Sequence, residues 1–242
     1  MSATAIAVRN TTAYFVIRDV QEVGGWPYDG VDLYNVLHAR VENSSLQANS
    51  EGLHAILAAD LHLFNVSFPN NLDWAVILES TSAAWVESSL VDSFGSGIFL
   101  RSSEGIVVGN DTFSRTAFGI TAVDSSSVLI LGNLLSEGQE SIQVYDTIAA
   151  RVANNTIRTP SSVGIHLDGA RAARVEGNEV TLAPTAVWAV LSTSLTIASN
   201  NLSFDGSGVE LESVSTATVA DNLMDVASGV ALYLLGSEAV TL

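Results

Sequence analysis

The chain has 242 residues, 48% hydrophobic and 14% charged, which is enough apolar material for a long core and argues against disorder. It contains no cysteine, so disulfides, thiolate metal sites and cysteine nucleophiles are excluded; its nine basic residues are all arginine against 26 acids, for a net charge of −17. That field repels nucleic acid, the lack of lysine excludes Schiff-base and P-loop chemistry, and no run approaches the roughly 18–20 apolar residues of a membrane span.

The N-terminus, MSATAIAVRN, lacks the basic start and apolar stretch of a signal peptide. From there a repeat begins. An aliphatic marker recurs at Val16, Val41, Leu63, Val86, Val108, Ile130, Val152, Val175, Ile197, Val219 and Leu242, with spacings of 25, 22, 23, 22, 22, 22, 23, 22, 22 and 23 residues. Three residues after the marker stands a mostly polar column of Asp19, Ser44, Val66, Ser89, Asp111, Asn133, Asn155, Asn178, Asn200 and Asn222. Five after it, from the second unit on, the chain is again apolar, from Leu46 and Phe68 to Leu202 and Met224. Eight and ten before it lie two more apolar columns, as in Ile98 and Leu100 or Ile165 and Leu167, often opened by a glycine such as Gly97, Gly119, Gly164 or Gly208.

Alternate apolar residues in short β-branched stretches predict strands with one buried face, and a 22-residue unit has room for three of them and for no helix. A single unit cannot bury its apolar face, whereas stacking units at ~4.8 Å turns each column into a continuous ladder. The asparagine column is expected at a tight bend, where amides bond neighbouring units and asparagine tolerates left-handed backbone. A leucine-rich repeat has a similar period, and Val128–Leu135 superficially fits it. Two features oppose it: its preceding leucine is replaced by Ser103, Ser125, Thr147, Ala170 and Ser192, and the other half of each unit is strand-like.

The units, reading roughly G-I-x-L, a turn, then V-x-x-N-x-I, resemble the β-helix repeats of pectin-lyase-like, NosD-like and carbohydrate-associated proteins from Ile6 to Leu242. The resemblance implies an all-β fold: one right-handed, single-stranded parallel β-helix domain spanning residues 1–242, with about ten rungs of 22–23 residues and three short strands each. It also implies an extracellular or cell-surface location. The long first spacing accommodates an aromatic excursion within Gln21–Gly30, containing Gly24, Gly25, Trp26, Pro27 and Tyr28, of the kind that walls the binding face in this family. At the other end, Leu242 stops the chain at the marker of an eleventh rung, which predicts an uncapped or truncated end, end-to-end self-association, or further domains in a longer protein.

Strand alternation sends the residues nine and seven before the marker outward, as one ribbon along the helix. Its richest part holds Phe99, Arg101, Gln143, Tyr145, His166, Asp168, Trp188, Glu210, Glu212 and Tyr233. Aromatics among polar groups can stack on sugar rings while fixing hydroxyls, so a polysaccharide or other glycan is the expected partner. Catalytic candidates are Asp168 and Glu212, two rungs apart in one column at ~9.6 Å, near the upper end of the spacing of inverting glycosidases. Glu210 and His166 are their neighbours. The motifs that the resemblance would bring to an enzyme are missing: the paired aspartates, G-H-G and R-x-K of polygalacturonases, the calcium aspartates of pectate lyases, and the D-P-H of mannuronan epimerases. A non-catalytic glycan-binding or scaffold module is therefore expected, with an acid-pair hydrolase and a structural spacer as alternatives. No cofactor is expected, and no metal: His54 and His62 fall on different strands of one rung, with His38 and His166 placed far from them.

Overall fold

In the computed structural model, which describes residues 4–23 and 29–242, the chain winds as a parallel β-solenoid of about ten turns, with no helix among the described residues. One rung shows the plan: strands Glu140–Tyr145, Arg151–Ala153 and Thr156–Arg158 follow one another around the core. Each pairs in parallel with its equivalent in the next rung, Glu140 opposite Val163, Arg151 opposite Arg174 and Thr156 opposite Glu179. Three parallel sheets result, and the apolar columns fill the space between them; Ile142, Val144, Val152 and Ile157 are wholly buried, as are their equivalents above and below. In the second rung the first two strands are continuous as Val31–Glu42.

The first rung corrects the expected phase. Ile17, not Val16, lies opposite Val41, so the spacing is 24 and the residue three after the marker is Val20 in place of Asp19. Ile17 is 9% exposed and Val16 37%. Alternation cannot choose between two adjacent apolar residues, and a one-residue slip exchanges the faces. The aromatic excursion at Gly24–Tyr28 lies outside the described residues.

The asparagine column forms the bend between the second and third sheets, and each member repeats the same bonds. The Asn133 N–H donates to Asn155 Oδ1 (2.9 Å), and Asn155, Asn178 and Asn200 do the same to the next rung at 2.9–3.0 Å. Their Nδ2 groups reach back to the marker carbonyls of the preceding rung, as from Asn155 to Ile130 O (2.9 Å) and from Asn178 to Val152 O (2.9 Å). The left-handed backbone expected of these asparagines belongs instead to the residue before each one, Gly132 (φ 66°), Asn154 (φ 55°), Gly177 (φ 65°) and Ser199 (φ 56°). Asparagine is used here for its amide, which is acceptor and donor at once. The small polar residues that oppose a leucine-rich repeat form a second ladder between the first and second sheets: the Ser103 N–H donates to Ser125 Oγ (3.1 Å), and the Ser125 N–H to Thr147 Oγ1 (3.3 Å).

Asp111 occupies one step of the asparagine ladder. Its Oδ1 accepts from the Ser89 N–H (2.7 Å), while Oδ2 is buried without a partner, and burial pushes the carboxyl from its ordinary 3.8 up to about 8. That shift favours the neutral carboxylic acid at neutral pH, which has one acceptor oxygen and one donor as the asparagine amide does.

Candidate functional site

The outward ribbon keeps the expected register along the first sheet. Phe99, Thr121, Gln143, His166, Trp188, Glu210 and Tyr233 stand one above another, and beside them run Arg101, Val123, Tyr145, Asp168, Val190, Glu212 and Leu235. Stacking at one rung's spacing makes these side chains cover each other, so Thr121, Gln143 and His166 are buried although they point away from the core. Trp188, Tyr145, Asp168, Glu210 and Glu212 are half-buried, and Arg101 and Tyr233 are exposed.

The centre of the ribbon is a connected polar and aromatic network. The Thr121 hydroxyl donates to Gln143 Oε1 (2.7 Å), and Gln143 Nε2 donates to Glu140 Oε2 (2.7 Å). The same carboxylate oxygen lies 3.1 Å from His166 Nδ1, which the Tyr145 hydroxyl approaches to 3.2 Å. The His166 hydrogen bond holds Glu140 below the usual carboxylate range, so Glu140 accepts and Nδ1 carries the hydrogen. Burial and the nearby carboxylates push Tyr145 up to about 12, keeping its hydroxyl neutral. The indole of Trp188 stacks on the imidazole at 4.3 Å and 14°, and Tyr145 meets the imidazole edge-on at 5.3 Å. Two ring nitrogens in this stack, His166 Nε2 and Trp188 Nε1, are buried with no hydrogen-bond partner.

Glu140 was not among the sequence candidates, and it belongs to a further column, twelve before the marker. There the alternation breaks: the small residue that follows, as at Gly97, Gly119 or Ser141, packs inward, and the residue before it folds over the outward face of the next rung. Trp74 lies against Phe99 in this way (5.0 Å), Glu140 against His166, and the Thr185 hydroxyl against Glu210 (3.4 Å). The column of glycines and small residues is the sequence signal that could have revealed it. Arg101 pairs with Glu79 in its own column at 3.0 Å. Asp168 and Glu212 stand two rungs apart in one column, with Val190 between them.

At the N-terminal end of the same face, Asp29, Glu51 and His54 place ligand atoms within 4.8 Å of one another. His54 Nδ1 is 3.1 Å from Glu51 Oε2. Burial, followed by the Glu51 charge, pushes Asp29 up to about 6; the His54 hydrogen bond lowers Glu51; burial opposes the charged form of His54, but Glu51 outweighs it and raises that group. Asp29 and Glu51 belong to the same column as Glu140, and His54 to the column of His166. Histidine spacing alone gives no hint of this cluster, because five rungs separate His54 from His166, the other imidazole of the column.

Parallel strands stacked in about ten turns make the chain a right-handed parallel β-helix repeat protein. Within that class the chain belongs to the NosD family, described as periplasmic copper-binding protein (NosD), whose profile matches residues 9–181. No match is found among the curated proteins. Similar solved structures include a GH136 lacto-N-biosidase from Eubacterium ramulus, with 12% identity and a TM-score of 0.75, covering 90% of this chain but 51% of that one. The periplasmic alginate epimerase AlgG, as a mutant, is 11% identical with a TM-score of 0.62, over 98% of this chain and 79% of that one. The surface adhesin PfbA of Streptococcus pneumoniae is 9% identical with a TM-score of 0.57, over 98% and 86%. At these identities the likeness is one of fold.

The family description raises copper, and the donors present answer in part. The soft thiolate and thioether ligands that favour Cu(I) are scarce: there is no cysteine, and the methionines are Met1 and Met224. Asp29, Glu51 and His54 offer one imidazole and two carboxylates, a set that fits Cu(II) or another divalent ion that accepts nitrogen and oxygen, and does not fit Cu(I).

Proposed function

We propose that this protein is a non-catalytic glycan-binding module that works outside the cytoplasm, at a cell surface or in a periplasm, and that the ribbon around Trp188 is its binding face. The stack of Trp188 on His166 carries this reading. It combines a half-buried indole, held parallel to an imidazole, with two unpartnered ring nitrogens in one place. A pyranose face can pack on the part of the Trp188 indole that the stack leaves open, with the buried ring nitrogens beneath it. Asp168, Glu210 and Glu212 on the flanking positions supply acceptors for further hydroxyls, and Tyr145 closes one side. The location rests on the family description and on the adhesin and periplasmic epimerase among the similar folds.

A glycan array tests it: the intact protein is expected to bind a defined set of saccharides, and Trp188→Ala to lose at least about tenfold in affinity, as stacking contacts of ~1.5 kcal/mol require. An array without binding, or binding unchanged in Trp188→Ala and Tyr145→Ala, contradicts it.

The two-rung spacing of Asp168 and Glu212 favours a second reading, an inverting hydrolase in which one carboxyl is the acid and the other the base. Release of reducing ends from a polysaccharide panel, abolished by Asp168→Asn, would establish it, and a blank panel would remove it.

A further inference from the structure

A cleft of about 310 Å³ opens on the second sheet, away from the ribbon, and is lined by Tyr14, His38, Ala39, Arg40, Asp60 and His62. The sequence reading set His38 far from His62; the fold puts both on this cleft. Two ridges form its walls. Arg40, His62 and Trp85 stand in register on successive rungs, with the His62 ring 4.6 Å from the Trp85 ring. The other ridge is the column three before the marker, where the backbone is left-handed from the second rung on, as at Ala83 (φ 49°), Gly105 (φ 64°), Ser127 (φ 53°), Ala149 (φ 55°) and Ala172 (φ 54°). Small residues fill that column elsewhere, through to Ala239. Only beside the cleft does it carry long side chains in this conformation, His38 (φ 57°) and Asp60 (φ 52°), which bond each other through Nδ1 and Oδ2 at 2.6 Å. Aspartate and histidine are among the non-glycine residues that left-handed backbone admits most readily, so this column accommodates both.

The cleft gathers nitrogen groups that are scarce in the rest of the molecule. In a chain with 26 acids and nine arginines, one guanidinium and two of the four imidazoles converge here, with a phenol beside them. Two carboxylates face the same space, and both are engaged: Asp60 with His38, and Glu42 with Arg40 at 3.6 Å. Among the described residues the His62 ring makes no hydrogen bond, and His38 spends one of its two ring nitrogens on Asp60.

We propose that this cleft is a second binding site, for a small organic ligand bearing an oxyanion, carboxylate or phosphate. Arg40 offers the planar fork that grips such a group through two oxygens. The ring N–H of His62 and the Tyr14 hydroxyl supply further donors, while His38, whose Nδ1 is spent on Asp60, lines the wall between them. Asp60 fixes the His38 ring and repels an anion from its own side of the cleft, which orients the ligand toward Arg40. A volume near the lower limit of ligand sites suits a molecule of monosaccharide size or smaller.

The test follows the histidine ring resonances of the intact protein by NMR at constant ionic strength, titrating with inorganic phosphate, with galacturonate and, as a neutral control, with glucose. Saturable shifts of His38 and His62 are expected with at least one of the anions, at a dissociation constant of about 1 mM or tighter. Whichever anion saturates identifies the group recognised. Arg40→Gln is expected to weaken the interaction at least about tenfold while the thermal melt and the His166 resonance stay in place, and His62→Gln to weaken it in the same direction. No saturable shift with either anion, equal shifts with glucose, or an undiminished response in Arg40→Gln would overturn the proposal.

Discussion

At the bend between the second and third sheets, Asn133, Asn155, Asn178 and Asn200 stand one above another and make the same bonds in every rung. On the first sheet the residues one above another are Gln143, His166, Trp188 and Glu210, and no two make the same contacts. Both columns keep strict register over the same rungs. The bend needs one side chain that accepts a backbone N–H from one side and donates to a carbonyl on the other, so it repeats asparagine. The outward face imposes no such demand, and its composition is free to answer to something outside the fold. Substitutions in the first column should therefore change stability, and those in the second should change binding.

The largest effect is expected from Asn155→Ala. It removes the donor to Ile130 O and strands the buried N–H of Asn133, which together should cost about 2–4 kcal/mol in a denaturant titration. A loss below about 0.5 kcal/mol would mean that the ladder is incidental.

Asp111→Asn should act in the opposite direction and depend on pH. The unfolded carboxyl titrates near 3.8 and the folded one near 8, so folding takes up a proton between those values; native stability is highest below 3.8, falls as pH rises, and levels off above 8. The asparagine variant lacks this slope. It should match the native protein near pH 4 and exceed it at pH 8 by an amount on the order of 1–3 kcal/mol, and coincident pH profiles would show that Asp111 is ionised in place.

Glu140→Gln, on the ribbon side, should be mild. The folded carboxyl lies below its ordinary 4.5, so its contribution is present above that pH and is lost as pH falls through the folded value. The variant is expected to lose under about 1 kcal/mol at pH 7 and progressively less as pH falls below 4.5, while displacing the His166 ring resonance.

This difference also decides what could be read from the chain. The solenoid, its sheets and the addresses of Gln143, His166, Trp188 and Glu210 follow from a 22-residue period with one aliphatic phase, because a repeated column fixes register many times over. Where the chain departs from repetition, legibility ends. Val16 and Ile17 are both aliphatic, and only pairing with Val41 selects the second. The left-handed step falls on Gly132 and Asn154, one residue before the conspicuous asparagines, because bonding and backbone bending are separate jobs at that corner. Glu140, and the Asp29, Glu51 and His54 cluster, use the column in which strand alternation breaks, so their contacts cross rungs in a way that a period-two pattern does not describe. Likewise His38 and His62 meet across a cleft whose walls are different columns of the second sheet.

The most direct measurement of the central claim is the indole N–H resonance of Trp188, assigned by Trp188→Phe, during titration with the saccharides retained on a glycan array. A saturable shift of that resonance, with the Trp85 indole on the second sheet unmoved, is the result expected of a glycan face on the first sheet. Saccharide binding that leaves Trp188 unmoved, or no saccharide binding at all, would contradict it.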